Sequence, residues 1–269
     1  MKIPAKVEAR IGQSIKKFQS NLSNAKNNDV SEADTSLIVV DMLSEVLGYK
    51  KVEEISAEHP IKGDKADYVV RTGNKILFVV EVKAVGKKLG DGHLTQVVNY
   101  AANLPCDWVV LTNGLCWQIY KVNFTKPIEQ TLFLELDLTS AKAKGTDVVD
   151  FFGSLSREVF TQSSMMQSFQ EEQAMSTYSV AAILVSDPVV YSVRRELRRL
   201  VDGLNPDIEE VRAIISDQVI KRELMDGDEG KLAAKAVKKM QNKAKAAIAV
   251  SKEVAPANNN ATVKDKAPS

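Results

Sequence analysis

Two patterns of apolar residues divide this chain. Short runs rich in β-branched and aromatic residues crowd residues 52–138, whereas apolar positions at helical spacing fill most of the remainder. Ser31-Glu32-Ala33-Asp34-Thr35 precedes Leu37, Val40, Met42-Leu43 and Val46-Leu47, and Gly48 follows. A serine cap, first-turn acids and a terminal glycine predict a helix there. Extended segments are expected at Val52–His59, Ala66–Arg71 and Lys75–Lys83, with the last two joined as a hairpin through Thr72-Gly73-Asn74. A helix from about His93 to Asn103 should come next. Two strands, Trp108–Thr112 and Cys116–Val122, flank the turn dipeptide Asn113-Gly114, and Thr131–Leu138 reads as another.

This order predicts an α/β fold, a mixed central sheet flanked by helices and followed by a mostly helical C-terminal region. The divisions expected are 1–29, a helix whose Ser20–Asn28 stretch becomes a loose connector; 30–140, the α/β domain; 141–252, helices; and 253–269, a disordered tail. The last 39 residues carry nine lysines against Glu253 and Asp265, a solubilising composition that also suits phosphate contact.

Composition narrows the function classes. A net charge of +1 means that any nucleic-acid contact must use local basic patches. Two cysteines, Cys106 and Cys116, are too few for a disulfide framework or a zinc ribbon, and both are expected to be reduced. No apolar run approaches the length of a bilayer span, and the first twenty residues lack the apolar stretch of an export signal. A cytoplasmic protein without a membrane role is expected. The chain contains no G-x-x-x-x-G-K-[ST] loop, so ATP-driven motion is not expected from it.

The chemistry concentrates in Asp67-Tyr68 and Phe78-Val79-Val80-Glu81-Val82-Lys83. On a strand, Glu81 and Lys83 project to one face, and Val80 and Val82 to the other. With the turn centred near Gly73, Asp67 should lie opposite residue 79 or 80, close enough to approach Glu81. Two carboxylates beside an ammonium suit a hard divalent cation, Mg²⁺ or Mn²⁺, with the Val82 carbonyl as a further ligand and Lys83 beside the attacking water. The bland alternative is a solvated E-x-K face of little energetic consequence.

Five motifs in order set this region apart from that alternative. They are Glu32-Ala33-Asp34-Thr35 before a helix ending Leu47-Gly48-Tyr49; Lys65-Ala66-Asp67-Tyr68-Val69; Glu81-Val82-Lys83; Gln96-Val97-Val98-Asn99-Tyr100; and Leu111-Thr112-Asn113-Gly114 with Trp117-Gln118-Ile119-Tyr120. Residues 28 to 138 thereby resemble the N-terminal nuclease domain of type I restriction enzyme motor subunits, a branch of the PD-(D/E)XK superfamily. The resemblance implies metal binding by Asp67 and Glu81, catalysis by Lys83, an accessory carboxylate in Glu32, and support of DNA engagement by Gln96 and Tyr100. It departs from the pattern at Ala66, where the motif has proline. Lys87 and Lys88, directly after the active strand, are candidate DNA contacts. The expected function is metal-dependent hydrolysis of DNA, and the C-terminal helices are a candidate surface for a homodimer or a partner protein. A non-catalytic DNA-binding or assembly module, or an RNA or repair nuclease of the same fold, are the alternatives.

Overall fold

The computed structural model describes residues 2–61, 64–124 and 128–253. They form two compact units, Met1–Phe169 and Gln170–Ser269, so the first unit extends past the expected boundary at 140. The reason is burial: segments on both sides of the expected α/β domain share its core.

The first of these is α1, Ala5–Asn27. Val7, Ile11, Ile15, Phe18, Leu22 and Ala25 recur every three or four residues and are all buried. That stripe carries the helix through the Asn- and Ser-rich stretch expected to be a connector. α2, Glu32–Glu45, starts as expected on Ser31, whose side chain accepts the Asp34 N–H at 3.1 Å. Its C-terminal carbonyls, Val46 and Leu47, accept hydrogen bonds from the Arg10 guanidinium on α1.

The sheet follows: β1 Ile55–Ile61, β2 Asp64–Thr72, β3 Lys75–Val82, then α3 Asp91–Ala101, β4 Trp108–Thr112, β5 Cys116–Asn123 and β6 Glu129–Asp137. The six strands are arranged in chain order. All neighbours are antiparallel except β3 and β4, which α3 links as a parallel pair.

Alternation along β2 and β3 builds two layers. Tyr68, Val70, Phe78, Val80 and Val82 join α1, α2 and α4 (Thr146–Leu155) in the larger core. Phe78 packs edge-on against Tyr49 and Phe160, with centroids 5.7 and 5.2 Å away. Val69 and Val79 face the other way, against Leu94, Val97, Val98 and Tyr100 of α3. Trp108 and Trp117 are core residues, as their strand positions suggest. Both cysteines are free.

α5, Gln162–Ala174, crosses the boundary between the units. The second unit is helical: α6 Thr177–Leu184, α7 Asp187–Leu200, α8 Ile208–Ile214 with a π-helical turn over Ile215–Val219, the short α9 Glu223–Asp226, and α10 Asp228–Glu253. Its small core gathers Ala181, Val190, Val211, Ile215 and Ile220. The α7 arginines are partnered: Arg195 and Arg199 pair with Glu196, and Arg194 and Arg198 bond Asn205. The expected tail lies outside the described residues, apart from Glu253 at the end of α10.

Candidate active site

A β-bulge decides where Asp67 stands. Near the turn, Thr72 pairs with Lys75 and Arg71 with Ile76; beyond a register shift between Val70 and Arg71, Val69 pairs with Val79 and Tyr68 with Val80. Continuing that count sets Asp67 opposite Glu81, one residue further along than expected. The extra residue, Leu77 on β3, thus brings the two acids level. Asp67 Oδ2 accepts the Val82 N–H at 2.7 Å, which fixes the carboxylate against the active strand.

Glu81 is 2% exposed and Lys83 6%. Lys83 Nζ donates to Glu81 Oε1 at 2.6 Å and stands 3.6 Å from Glu32 Oε1, at the N-terminus of α2. The other Glu81 oxygen, Oε2, is buried and has no hydrogen-bond partner among the described residues. Such an atom carries a desolvation penalty of about 1–3 kcal/mol that no described residue offsets. Three carboxylates therefore surround one ammonium.

The electrostatics follow from that excess. Burial pushes Glu81 up to about 7; the Lys83 hydrogen bond opposes the shift, and Asp67 and Glu32 add to it. Asp67 is raised as well, chiefly by burial and against the Val82 N–H bond. Burial alone would lower Lys83, but the hydrogen bond to Glu81 and the neighbouring carboxylates outweigh it, and its amine is held above the usual lysine value. A site of this charge, with one buried carboxylate oxygen unpartnered, fits a cation with oxygen preference. Among the described residues no group of three or more His, Cys, Asp or Glu side chains is arranged to hold a metal. A metal here would need backbone, water or substrate oxygens in addition to Asp67 and Glu81.

The remaining candidates divide. Gln96 Nε2 donates to the Tyr100 hydroxyl at 2.7 Å on the helix that covers the Val79 side of the sheet, the side to which Glu81 also belongs. Tyr100 is buried in that layer. Lys87 and Lys88 are exposed. His93, in the first turn of α3, is half-buried with Nδ1 unpartnered. Two polar residues escaped the sequence reading. Thr35, fully buried, accepts the Val85 N–H, and Asn113, nearly so, donates to the Lys87 carbonyl. Both stood within motifs of the family resemblance, Thr35 at a helix start and Asn113 in a turn, but neither had been assigned a role.

No curated protein and no solved structure matches this chain. Residues 37–133 match the family model described as type I restriction enzyme R protein N terminus (HSDR_N); this segment bears Asp67, Glu81 and Lys83, whereas Glu32-Ala33-Asp34-Thr35 lies before it.

Proposed function

We propose that the α/β unit hydrolyses phosphodiester bonds in DNA, with Asp67, Glu81 and the Val82 carbonyl holding Mg²⁺ or Mn²⁺ and Lys83 serving the attacking water. The family match supports a nuclease role, and the buried, unpartnered Glu81 Oε2 beside Lys83 carries the finer reading. When bound, the cation would neutralise charge developing at the phosphorus centre. Asp67, braced by the Val82 amide, stands level with Glu81 across the ladder. Lys83, anchored by Glu81, keeps protons free to hydrogen-bond the incoming water or a non-bridging oxygen. Its surroundings favour the charged amine, which suits it to orient the water and stabilise developing negative charge. Lys87 and Lys88 supply local positive charge for the DNA backbone, and Gln96 and Tyr100 brace the neighbouring helix. Among the described residues no helix is long and apolar enough to cross a membrane, which accords with a cytoplasmic site of action.

The test is a cleavage assay on DNA and RNA panels with Mg²⁺ or Mn²⁺, using wild type, Glu81→Ala and Lys83→Ala. Metal-dependent DNA cutting that both substitutions abolish is expected. Equal activity in all three proteins overturns the assignment. Cutting confined to RNA moves it to an RNA nuclease, and cation binding without cutting makes the unit a non-catalytic module.

A further inference from the structure

The strand that carries Glu81 ends at Val82, and the last ladder bond runs from the Lys83 N–H to the Thr112 carbonyl at 2.8 Å. Beyond it, residues 84–88 belong to no strand or helix, yet two side chains hold their backbone. Thr35 Oγ1 donates to the Ser31 carbonyl at 2.9 Å and accepts the Val85 N–H at 3.1 Å. Asn113 Nδ2 donates to the Lys87 carbonyl at 2.8 Å, while its Oδ1 accepts the N–H groups of Leu115 and Cys116. Between these anchors, Lys87 N–H closes a turn onto the Ala84 carbonyl at 2.8 Å.

A threonine in the first turn of a helix commonly bonds back to the carbonyl four residues earlier, and that alone needs no functional account. The hydroxyl's lone pair is the informative part. It meets an amide fifty residues away that lies past the end of the strand, two residues after the catalytic candidate Lys83. Thr35 also sits one turn after Glu32, so a single hydroxyl ties the helix end bearing the accessory carboxylate to the segment bearing the amine. Asn113 does the equivalent for the lysine pair. Its oxygen would cap the turn whatever its nitrogen did, so the bond to Lys87 is an additional commitment.

We infer that Thr35 and Asn113 are positioning residues that clamp Ala84–Lys88 from two sides, setting Lys83 against Glu81 and Glu32 and setting Lys87 and Lys88 toward the substrate backbone. The catalytic half of this inference rests on the nuclease reading; the mechanical half does not.

Amide hydrogen exchange and steady-state cleavage of DNA by the full chain test the two halves separately. Thr35→Val, which keeps shape and removes the hydroxyl, should speed exchange at Val85 about tenfold and lower kcat about tenfold with KM within about twofold, as expected for one hydrogen bond lost. Thr35→Ser should restore both. Asn113→Asp keeps the turn-capping oxygen and removes the donor; it should loosen the 84–88 backbone and raise KM several-fold with little change in kcat. Unchanged exchange at Val85 in Thr35→Val, or failure of serine to rescue it, overturns the clamp. Loosened exchange with kcat and KM both intact overturns its positioning role. A wild-type protein that cuts nothing, while exchange responds as described, retires the nuclease reading and leaves the clamp standing.

Discussion

Two buried glutamates of the first unit have opposite environments. Glu54, 5% exposed, accepts Arg157 Nε with both oxygens at 2.8 and 2.9 Å and the Lys50 N–H at 3.0 Å. Its carboxyl is held below the usual range, first by the Arg157 hydrogen bond. Glu81 is buried as deeply, but one oxygen meets only Lys83 and the other meets nothing, and its carboxyl is pushed upward. Glu54 is saturated by the chain and contributes to holding it together. Glu81 keeps one oxygen that the described residues leave unpartnered, the feature on which the proposed cation site rests.

The sharpest way to break this contrast is through activity. Glu81→Ala or Lys83→Ala should lower cleavage at least about a thousandfold, roughly 4 kcal/mol on the barrier, with the thermal melt essentially kept. A variant retaining most of its turnover would place Glu81 in the same structural class as Glu54. Next in size is Glu54→Ala. Removing one partner of a buried pair costs about 3–5 kcal/mol. Arg157, at 37% side-chain exposure, recovers part of this from water, so a denaturant titration should show a loss of about 2 kcal/mol, with kcat unchanged well below the melt. A cation at a hundredfold excess over its Kd should stabilise wild type by about 2.7 kcal/mol, read as a rise in Tm. The same addition should leave Glu81→Ala unmoved and should raise Glu54→Ala as it raises wild type.

The gentlest effect is pH. Glu54 has a folded-state value depressed below its ordinary 4.5. Its contribution is therefore fully present above about pH 4.5 and lost as acidity carries the carboxyl through its lower folded value. Acid unfolding of wild type and Glu54→Gln should converge in that range. Curves that stay parallel would mean that Arg157 adds nothing.

The sequence disclosed the parts of the site that depend on local repetition. Glu81 and Lys83 share a face because strands alternate, and Thr72-Gly73-Asn74 closes the hairpin because a tight turn needs such residues. What it concealed depends on distant partners. The bulge at Leu77, opposite Val70 and Arg71, which moves Asp67 by one position, has no marker in a run of β-formers. Arg157 reaches Glu54 across 103 residues, and Thr35 meets Val85 across fifty. The extent of α1 was hidden for another reason: Leu22 and Ala25 continue its stripe through polar residues whose own preference is for turns.

The one parallel pairing in the sheet has a consequence in time. The β2–β3 hairpin can zip from its own turn, but β3 meets β4 only after the whole segment through α3 has been laid across the sheet, and such long closures come late in folding. A nascent or nicked chain can therefore hold its acids and its lysine in sequence while lacking the second edge that fixes them. The Lys83 N–H gains its Thr112 carbonyl only when that edge closes, so the candidate site is complete only with the finished sheet.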